Sequence, residues 1–407
     1  MNKILEKARA IEQEIIADRR CLHQMPEVGV YTPRTAAYIK ERLTEMGIAH
    51  RDCGVHSQED REKMVFAGYP DAPTSTGVVA VIGKGGPCIL LRADMDGLPM
   101  EETTGLDFAA KGDTAHMCGH DAHAAMLLGA AQLLRDRAAE LNGTVKFMFQ
   151  PGEEVLSGAR SMIEAGILED PHVDAAMGAH MIPMIPAGLG GYGTGVVSAS
   201  SDHLVIRVEG RGGHGAHPQS TVDPINIGVH IHLALQELLS READPAELVV
   251  LTFGKFQGGD AANIIPSSAV LEGTLRTFSE PLRTHLLERI ETICACTAEA
   301  FRGRAQVTDL CSTCSLQIDG DTAAAVAQGW QREGLKMLQR GEKMSGSEDF
   351  AEIAARVPST FFVVGGGTAQ DGCGVSLHNP KIRFREEALI YGAAAYASGA
   401  AMWLELH

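Results

Sequence analysis

The chain has 407 residues, 45% of them hydrophobic, and a formal charge of −17 at pH 7. It is too long for one ordinary hydrophobic core, so two domains are expected. Its acidity argues against binding nucleic-acid backbones or anionic membrane surfaces and otherwise speaks only for solubility.

The nine cysteines are scattered and odd in number, which predicts reduced thiols and a cytoplasmic setting rather than a disulfide framework. MNKILEKARAIEQEIIADRR (1–20) reads as a charged helix without the apolar core of a signal peptide. GVVAVI (77–82) and CILLRAD (88–94) flank a Gly-Lys-Gly-Gly-Pro turn and predict a hairpin. An Ala/Leu-rich helix is expected from His120 to Arg135. VKFMFQ (145–150) and DAAMGAH (174–180) read as strands buried on both faces. Glycine-rich 188–195 suits a hinge.

The middle of the chain changes pattern. A strand at 204–210, a helix at 224–240, strands at 248–254 and 269–278, a helix at 280–302 and a strand at 305–310 are expected. That order, β-α-β-β-α-β, is the split layout of ferredoxin-like domains. Helices near 321–339 and 349–356, the strand FFVVGG (361–366) and a final helix follow. The uncharged stretch from Ala388 to Leu404 is rich in Ala and Gly and predicts a packed helix rather than a membrane span. The fold class is therefore α/β in two domains. A mixed-sheet catalytic domain spans 1–190 and 312–407, and a ferredoxin-like domain is inserted at 191–311.

Five metal-capable side chains recur in short motifs: Cys118 and His120 in HMCGHDAH, Glu154 in PGEEV, His180 in GAH and His378 in SLHNP. Thiolate, imidazole and carboxylate together suit Zn²⁺ and neighbouring transition metals. Several of these residues follow predicted strands directly, and ligand sites in open α/β sheets lie at the carboxyl ends of strands. A metal-bound thiolate is deprotonated, so Cys118 is a candidate bridge between two ions. Glu153 is the spare carboxylate that metal-assisted hydrolysis needs as a general base. Asp96 reads as the partner that orients a ligand imidazole. His116 and His123 flank the motif as structural or supporting residues. Arg276, on a strand, is a candidate clamp for a substrate carboxylate. The CxxC at Cys311–Cys314 has no second half-motif and is read as non-functional.

RRCLHQMPE, LRADMDGLPMEE, HMCGHDAH, FQPGEE, GAH, GRGGHGAHP, NIIP, GTLRTF, SGSEDFA and LHNP occur in this order over nearly the whole chain. In them the chain resembles the amidohydrolase branch of the M20 metallopeptidases, which includes hippurate, N-acyl-amino-acid and auxin-conjugate hydrolases. The resemblance implies two divalent ions per subunit, held by Cys118, His120, Glu154, His180 and His378. Zn²⁺ is expected, with Mn²⁺, Co²⁺ and Ni²⁺ as alternatives. It implies Glu153 as base and a lid and dimerisation role for the inserted domain. It further implies His214 donated across a homodimer interface, and Asn263 and Arg276 near the polar end of the substrate. The polar segment 55–75 is longer than the link expected there. The expected activity is cleavage of an N-acyl amino acid to a carboxylic acid and an amino acid. A dipeptidase or carboxypeptidase-like activity on the same metals is the alternative, and an inactive binding protein the remote one.

Overall fold

The computed structural model describes residues 3–66, 68, 71–72, 74–341 and 343–407. The chain forms two units. The first comprises Met1–Val197, Leu316–Glu342 and Asp349–His407; the second comprises Ser198–Ser315 and Lys343–Glu348. In chain order the first unit contributes β1 (His50–Asp52), β2 (Val78–Gly83), β3 (Cys88–Asp94), β4 (Thr144–Gln150), β5 (Ala175–Ile182) and β6 (Leu189–Tyr192). A short β7 (Gly195–Ser198) leads out of it. The second unit holds β8 (Ser201–Glu209), β9 (Gly213–His214), β10 (Val249–Gly258), β11 (Ile264–Ile265), β12 (Ser268–Thr277) and β13 (Arg304–Thr313). The chain returns through β14 (Leu316–Ile318), β15 (Lys336–Gln339) and β16 (Ser359–Gly365).

In the first unit the sheet runs β1-β2-β4-β3-β5-β16-β6-β15. Every residue of β3 and β4 is buried, so their apolar runs need cover on both faces. The helices Glu12–His23, His120–Arg135 and Leu389–Leu406 share one core with the sheet, including Leu22, Leu127, Leu134, Ala393 and Trp403. Each fully buried side chain of leucine size contributes about 1.5–3 kcal/mol. Small residues let these helices approach closely: a Cβ on Gly392 would lie 1.9 Å from Met126 Sδ. That close packing explains the Ala/Gly-rich final helix. Among the described residues no helix is long and apolar enough to cross a membrane.

Three expectations are corrected. The 77–94 hairpin does not form, because β4 lies between its two strands, antiparallel to β2 and parallel to β3. A helical crossover from β3 to β4 makes that parallel pairing possible. The helix expected at 321–339 stops at Glu333, where Gly334 turns left-handed at φ 70°, and Lys336–Gln339 becomes β15 instead. The glycine-rich 188–195 stretch contains strand β6 rather than a loose hinge. A Cβ on Gly190 would lie 2.3 Å from Met337 Sδ, so that glycine serves close packing. Of segment 55–75, residues 67, 69, 70 and 73 lie outside the described residues, and Gln58–Phe66 is a helix.

The second unit is an antiparallel sheet in the order β10-β12-β8-β13. β12 alternates half-buried and buried residues along its length, the period of a strand with one face on a core. The helices Pro224–Glu237 and Glu280–Ala300 supply that core, with Ile227, Ile231, Leu286 and Ile290 against Leu204, Ile206, Leu271 and Leu275. Asp223 caps the first of these helices by accepting from the backbone N–H groups of Ile225 and Asn226, a contribution of about 1 kcal/mol. Strand β10 is an edge, with Val250 and Phe256 exposed, and Val229 and Leu233 are exposed on the Pro224–Glu237 helix.

Candidate metal centre

Strands β3, β4 and β5 are parallel neighbours, with Asp94 opposite Gln150 and Arg92 opposite Gly178. Their carboxyl ends therefore deliver Asp96, the Pro151–Glu154 turn and His180 to one edge of the sheet. Gly119, at φ 94°, turns the chain from Cys118 into the helix that begins at His120. A side chain there would be strained in backbone and would meet Phe384 at 3.1 Å. His378 adopts φ 61° and donates its N–H to the Met117 carbonyl at 2.9 Å, which brings the late SLHNP loop to the same place.

Cys118 Sγ lies 3.4 Å from His180 Nε2. His120 Nε2 lies 3.9 Å from both Glu153 Oε2 and Glu154 Oε1. Glu154 Oε1 is 3.4 Å from His378 Nε2. Among the described residues several groups of ligand-capable atoms lie within 4.8 Å of one another, His120–Glu153–Glu154 included; two of them are the trios Cys118–His120–His180 and Cys118–Glu154–His378. The trios share Cys118. The set is largely buried, and His378 alone keeps about half its side chain in solvent, at 53%.

One carboxylate organises this edge. Asp96 accepts from His120 Nδ1 at 3.2 Å, and from the backbone N–H groups of Glu153 and Glu154 at 3.1 and 3.2 Å. His120 Nε2 and Glu154 Oε1 are left buried without a hydrogen-bond partner. Burial pushes the His120 pKa down, but Asp94, Cys118 and Asp96 raise it well above the usual histidine range. Burial, then Glu154, pushes the Cys118 thiol well up. Burial opposes ionisation of Glu154, yet His378 and His120 hold its carboxyl below the usual range. A buried imidazole nitrogen and a carboxylate oxygen without hydrogen-bond partners, beside a thiol, offer lone pairs that a divalent cation would satisfy, so the residues fit metal ions.

Several residues behind the site were not singled out as functional from sequence. Fully buried Arg92 donates to Gln150 Oε1 at 2.9 Å, Asp94 Oδ2 at 2.8 Å and Asp349 Oδ1 at 2.8 Å. Asp349 also accepts from Gln150 Nε2 and Ala159 N–H. This network anchors both ends of the turn that carries Glu153 and Glu154. An arginine in the middle of the largely apolar CILLRAD strand was the available signal. Breaking such a buried pair costs about 3–5 kcal/mol.

His214, Asn263 and Arg276 lie in the second unit. The β9–β11 ribbon places His214 opposite Ile264 and next to Asn263, whose carbonyl accepts from Gly215 N–H. His214 is exposed, and its Nδ1 accepts from Ala216 N–H at 3.0 Å, so Nε2 carries the ring hydrogen. Arg276 stands half-buried on β12, with Nη1 3.3 Å from the Ser345 carbonyl and 3.4 Å from Ser347 Oγ. Cys311 sits at an irregularity of β13, and neither it nor Cys314 is in a disulfide.

Comparison with known proteins is consistent along the chain. Residues 90–401 match the model of peptidase family M20/M25/M40. An IAA-amino acid hydrolase of Arabidopsis thaliana is 35% identical over 96% of this chain and 86% of its own length. An N-acetylcysteine deacetylase of Bacillus subtilis is 34% identical over 98% of both chains. The crystal structure of a dinuclear metal-binding M20 peptidase of Bacillus subtilis is 32% identical, with a TM-score of 0.77 over 98% of this chain and 99% of that one. With that family match over most of its length, the chain belongs to peptidase family M20/M25/M40 and is a metal-dependent hydrolase of amide bonds.

Proposed function

We propose that the protein cleaves N-acyl amino acids to a carboxylic acid and a free amino acid, at a site where Cys118, His120, Glu154, His180 and His378 would hold two divalent ions. The observation that carries this reading is the pair of ligand trios meeting at one thiol, with Glu153 beside them. Both curated relatives described above are named for acyl-amino acid substrates. The mixed sulfur, nitrogen and oxygen donors favour Zn²⁺, and Mn²⁺, Co²⁺ and Ni²⁺ are the competitors to assay. Bound ions supply Lewis acidity toward the scissile carbonyl and make water acidic enough to lose a proton near neutrality.

The side chains carry the rest of the reaction. Glu153 takes the proton of the attacking water on a carboxylate oxygen and returns it to the departing amine nitrogen. Asp96 holds His120 by Nδ1 and the Glu153–Glu154 amides together, so base and ligands keep one geometry. His214, with its hydrogen on Nε2, is a donor suited to the developing oxyanion. Arg276, steadied by Ser345 and Ser347, pairs with the carboxylate of the leaving amino acid, and Asn263 borders the same substrate end.

The second unit supports the reading as a ferredoxin-like lid and dimerisation domain through its β-α-β-β-α-β order and β10-β12-β8-β13 sheet. Its open β10 edge and the exposed Val229 and Leu233 are surfaces that a homodimer would cover.

A turnover panel tests the function. N-acetyl, N-benzoyl and longer acyl-amino acids are compared with their amides and with dipeptides under each metal. Acyl-amino acids should turn over fastest, and Arg276→Met should raise KM for them far more than for the amides. Preference for dipeptides would replace this reading with a dipeptidase.

A further inference from the structure

Strand β5 outruns its neighbour β3. Their pairing runs from Ile89 opposite Ala175 to Arg92 opposite Gly178 and stops there. On its other side β5 continues beside β16, and the Ile182 carbonyl accepts from Gly366 N–H. Backbone groups alternate sides along a strand, so Met181 turns its N–H and C=O toward the side that β3 has left. Two histidines take those groups. Met181 N–H donates to His123 Nε2 at 2.8 Å, and His180 Nδ1 donates to the Met181 carbonyl at 2.8 Å.

An amide nitrogen only donates, so His123 Nε2 is an acceptor and carries no hydrogen. The ring hydrogen therefore sits on Nδ1, which donates to Asp94 Oδ1 at 2.6 Å. Arg92 fixes the other oxygen of Asp94 at 2.8 Å. His123 is fully buried, and its ring lies edge-on to that of His180, with centroids 4.4 Å apart. Asp94, His120 and His123 are close enough together to resemble a further cation site. Both His123 nitrogens are already committed, so that trio is a support and not a ligand set.

We infer that His123 is a positioning residue: held on Nδ1 by Asp94, it grips the Met181 backbone by its N–H and so steadies the Met181 carbonyl that keeps His180 protonated on Nδ1, with Nε2 turned toward Cys118. The inference rests on the proposed metal centre. In helix His120–Arg135, His123 follows His120 by one turn, so a single helix face carries a ligand candidate and this support. The twin histidines of HDAH thus have different tasks.

Two measurements on the full chain test it. Histidine ¹⁵N NMR of the Zn²⁺-loaded protein, assigned by loss of one signal in His123→Gln, should show His123 neutral with hydrogen on Nδ1. An imidazolium, or hydrogen on Nε2, overturns the inference. Zn²⁺ affinity is then measured by chelator competition for the unaltered chain, His180→Ala, His123→Asn and His123→Gln. His123→Asn keeps a donor toward Asp94 but loses the acceptor for Met181, and should weaken Zn²⁺ binding by about 10- to 100-fold. His123→Gln keeps an oxygen at the acceptor end and should lose less. Unchanged affinity in His123→Asn, with His180→Ala weakened, overturns the positioning role and leaves the metal centre intact. Unchanged affinity in His180→Ala overturns the metal centre itself, and this inference with it. If His123→Asn does not fold, the NMR result on the unaltered chain decides.

Discussion

Asp96 accepts from one imidazole and two consecutive amides, so a single carboxylate sets both the His120 tautomer and the direction of the Glu153–Glu154 turn. Cys118 stands where the two ligand trios meet. On the proposed reading its thiolate binds metal directly. Co²⁺-loaded protein should therefore show a near-ultraviolet thiolate-to-cobalt charge-transfer band that Cys118→Ser loses. A band that survives the substitution would remove Cys118 from the ligand set. The motif residues Cys118, His120, Glu154, His180 and His378 were legible because each sits in a short, distinctive run near the end of an element. Arg92, Gln150 and Asp349 were not. Their partners are as far as 257 positions away in sequence, and only the folded sheet shows that they meet. His123 was noticed beside the motif, but its task depends on where β3 stops, which no local pattern records.

Among the elements, the helix Glu12–His23 is tied to the start of helix His120–Arg135 by a buried cluster. His23 Nδ1 donates to Asp121 Oδ2 at 2.8 Å and Nε2 to Glu102 Oε2 at 3.0 Å, while Arg19 Nε reaches Asp121 at 2.7 Å. Burial pushes the His23 pKa down, but Asp121 and Glu102 raise it above its ordinary value overall. A raised folded-state pKa means that the charged ring stabilises the fold below the unfolded value of about 6.5. That stability disappears as pH rises through the higher folded value. Thermal midpoints measured against pH should show an advantage over His23→Gln that is largest in mild acid and shrinks toward alkaline pH. A constant or growing difference would mean that the ring acts through packing alone. Element types were largely readable from period and burial, as in helix His120–Arg135 and strand β12. Strand order was not: the turn between β2 and β3 looks local, yet long-range pairing puts β4 between them.

At the scale of the whole molecule, the candidate metal ligands lie in the first unit and His214 in the second. The inserted unit was legible as a change of pattern in the middle of the chain. Its short segment Lys343–Glu348, distant in sequence, was not, because it joins the second unit only by folding back to it. If His214 serves the partner's metals, mixing Glu153→Gln with His214→Ala should restore activity, because one site of each mixed dimer is whole. Random exchange at equal amounts should give about a quarter of the unaltered activity. Demonstrated exchange without recovery would confine His214 to its own chain or to no catalytic role. The central claim, ions held by one set of residues and a proton moved by Glu153, is tested most directly by measuring metal content and turnover together in Glu153→Gln. Two ions per chain are expected, as in the unaltered protein, with turnover lower by about 10²–10⁴-fold. Near-normal turnover with both ions bound would contradict it.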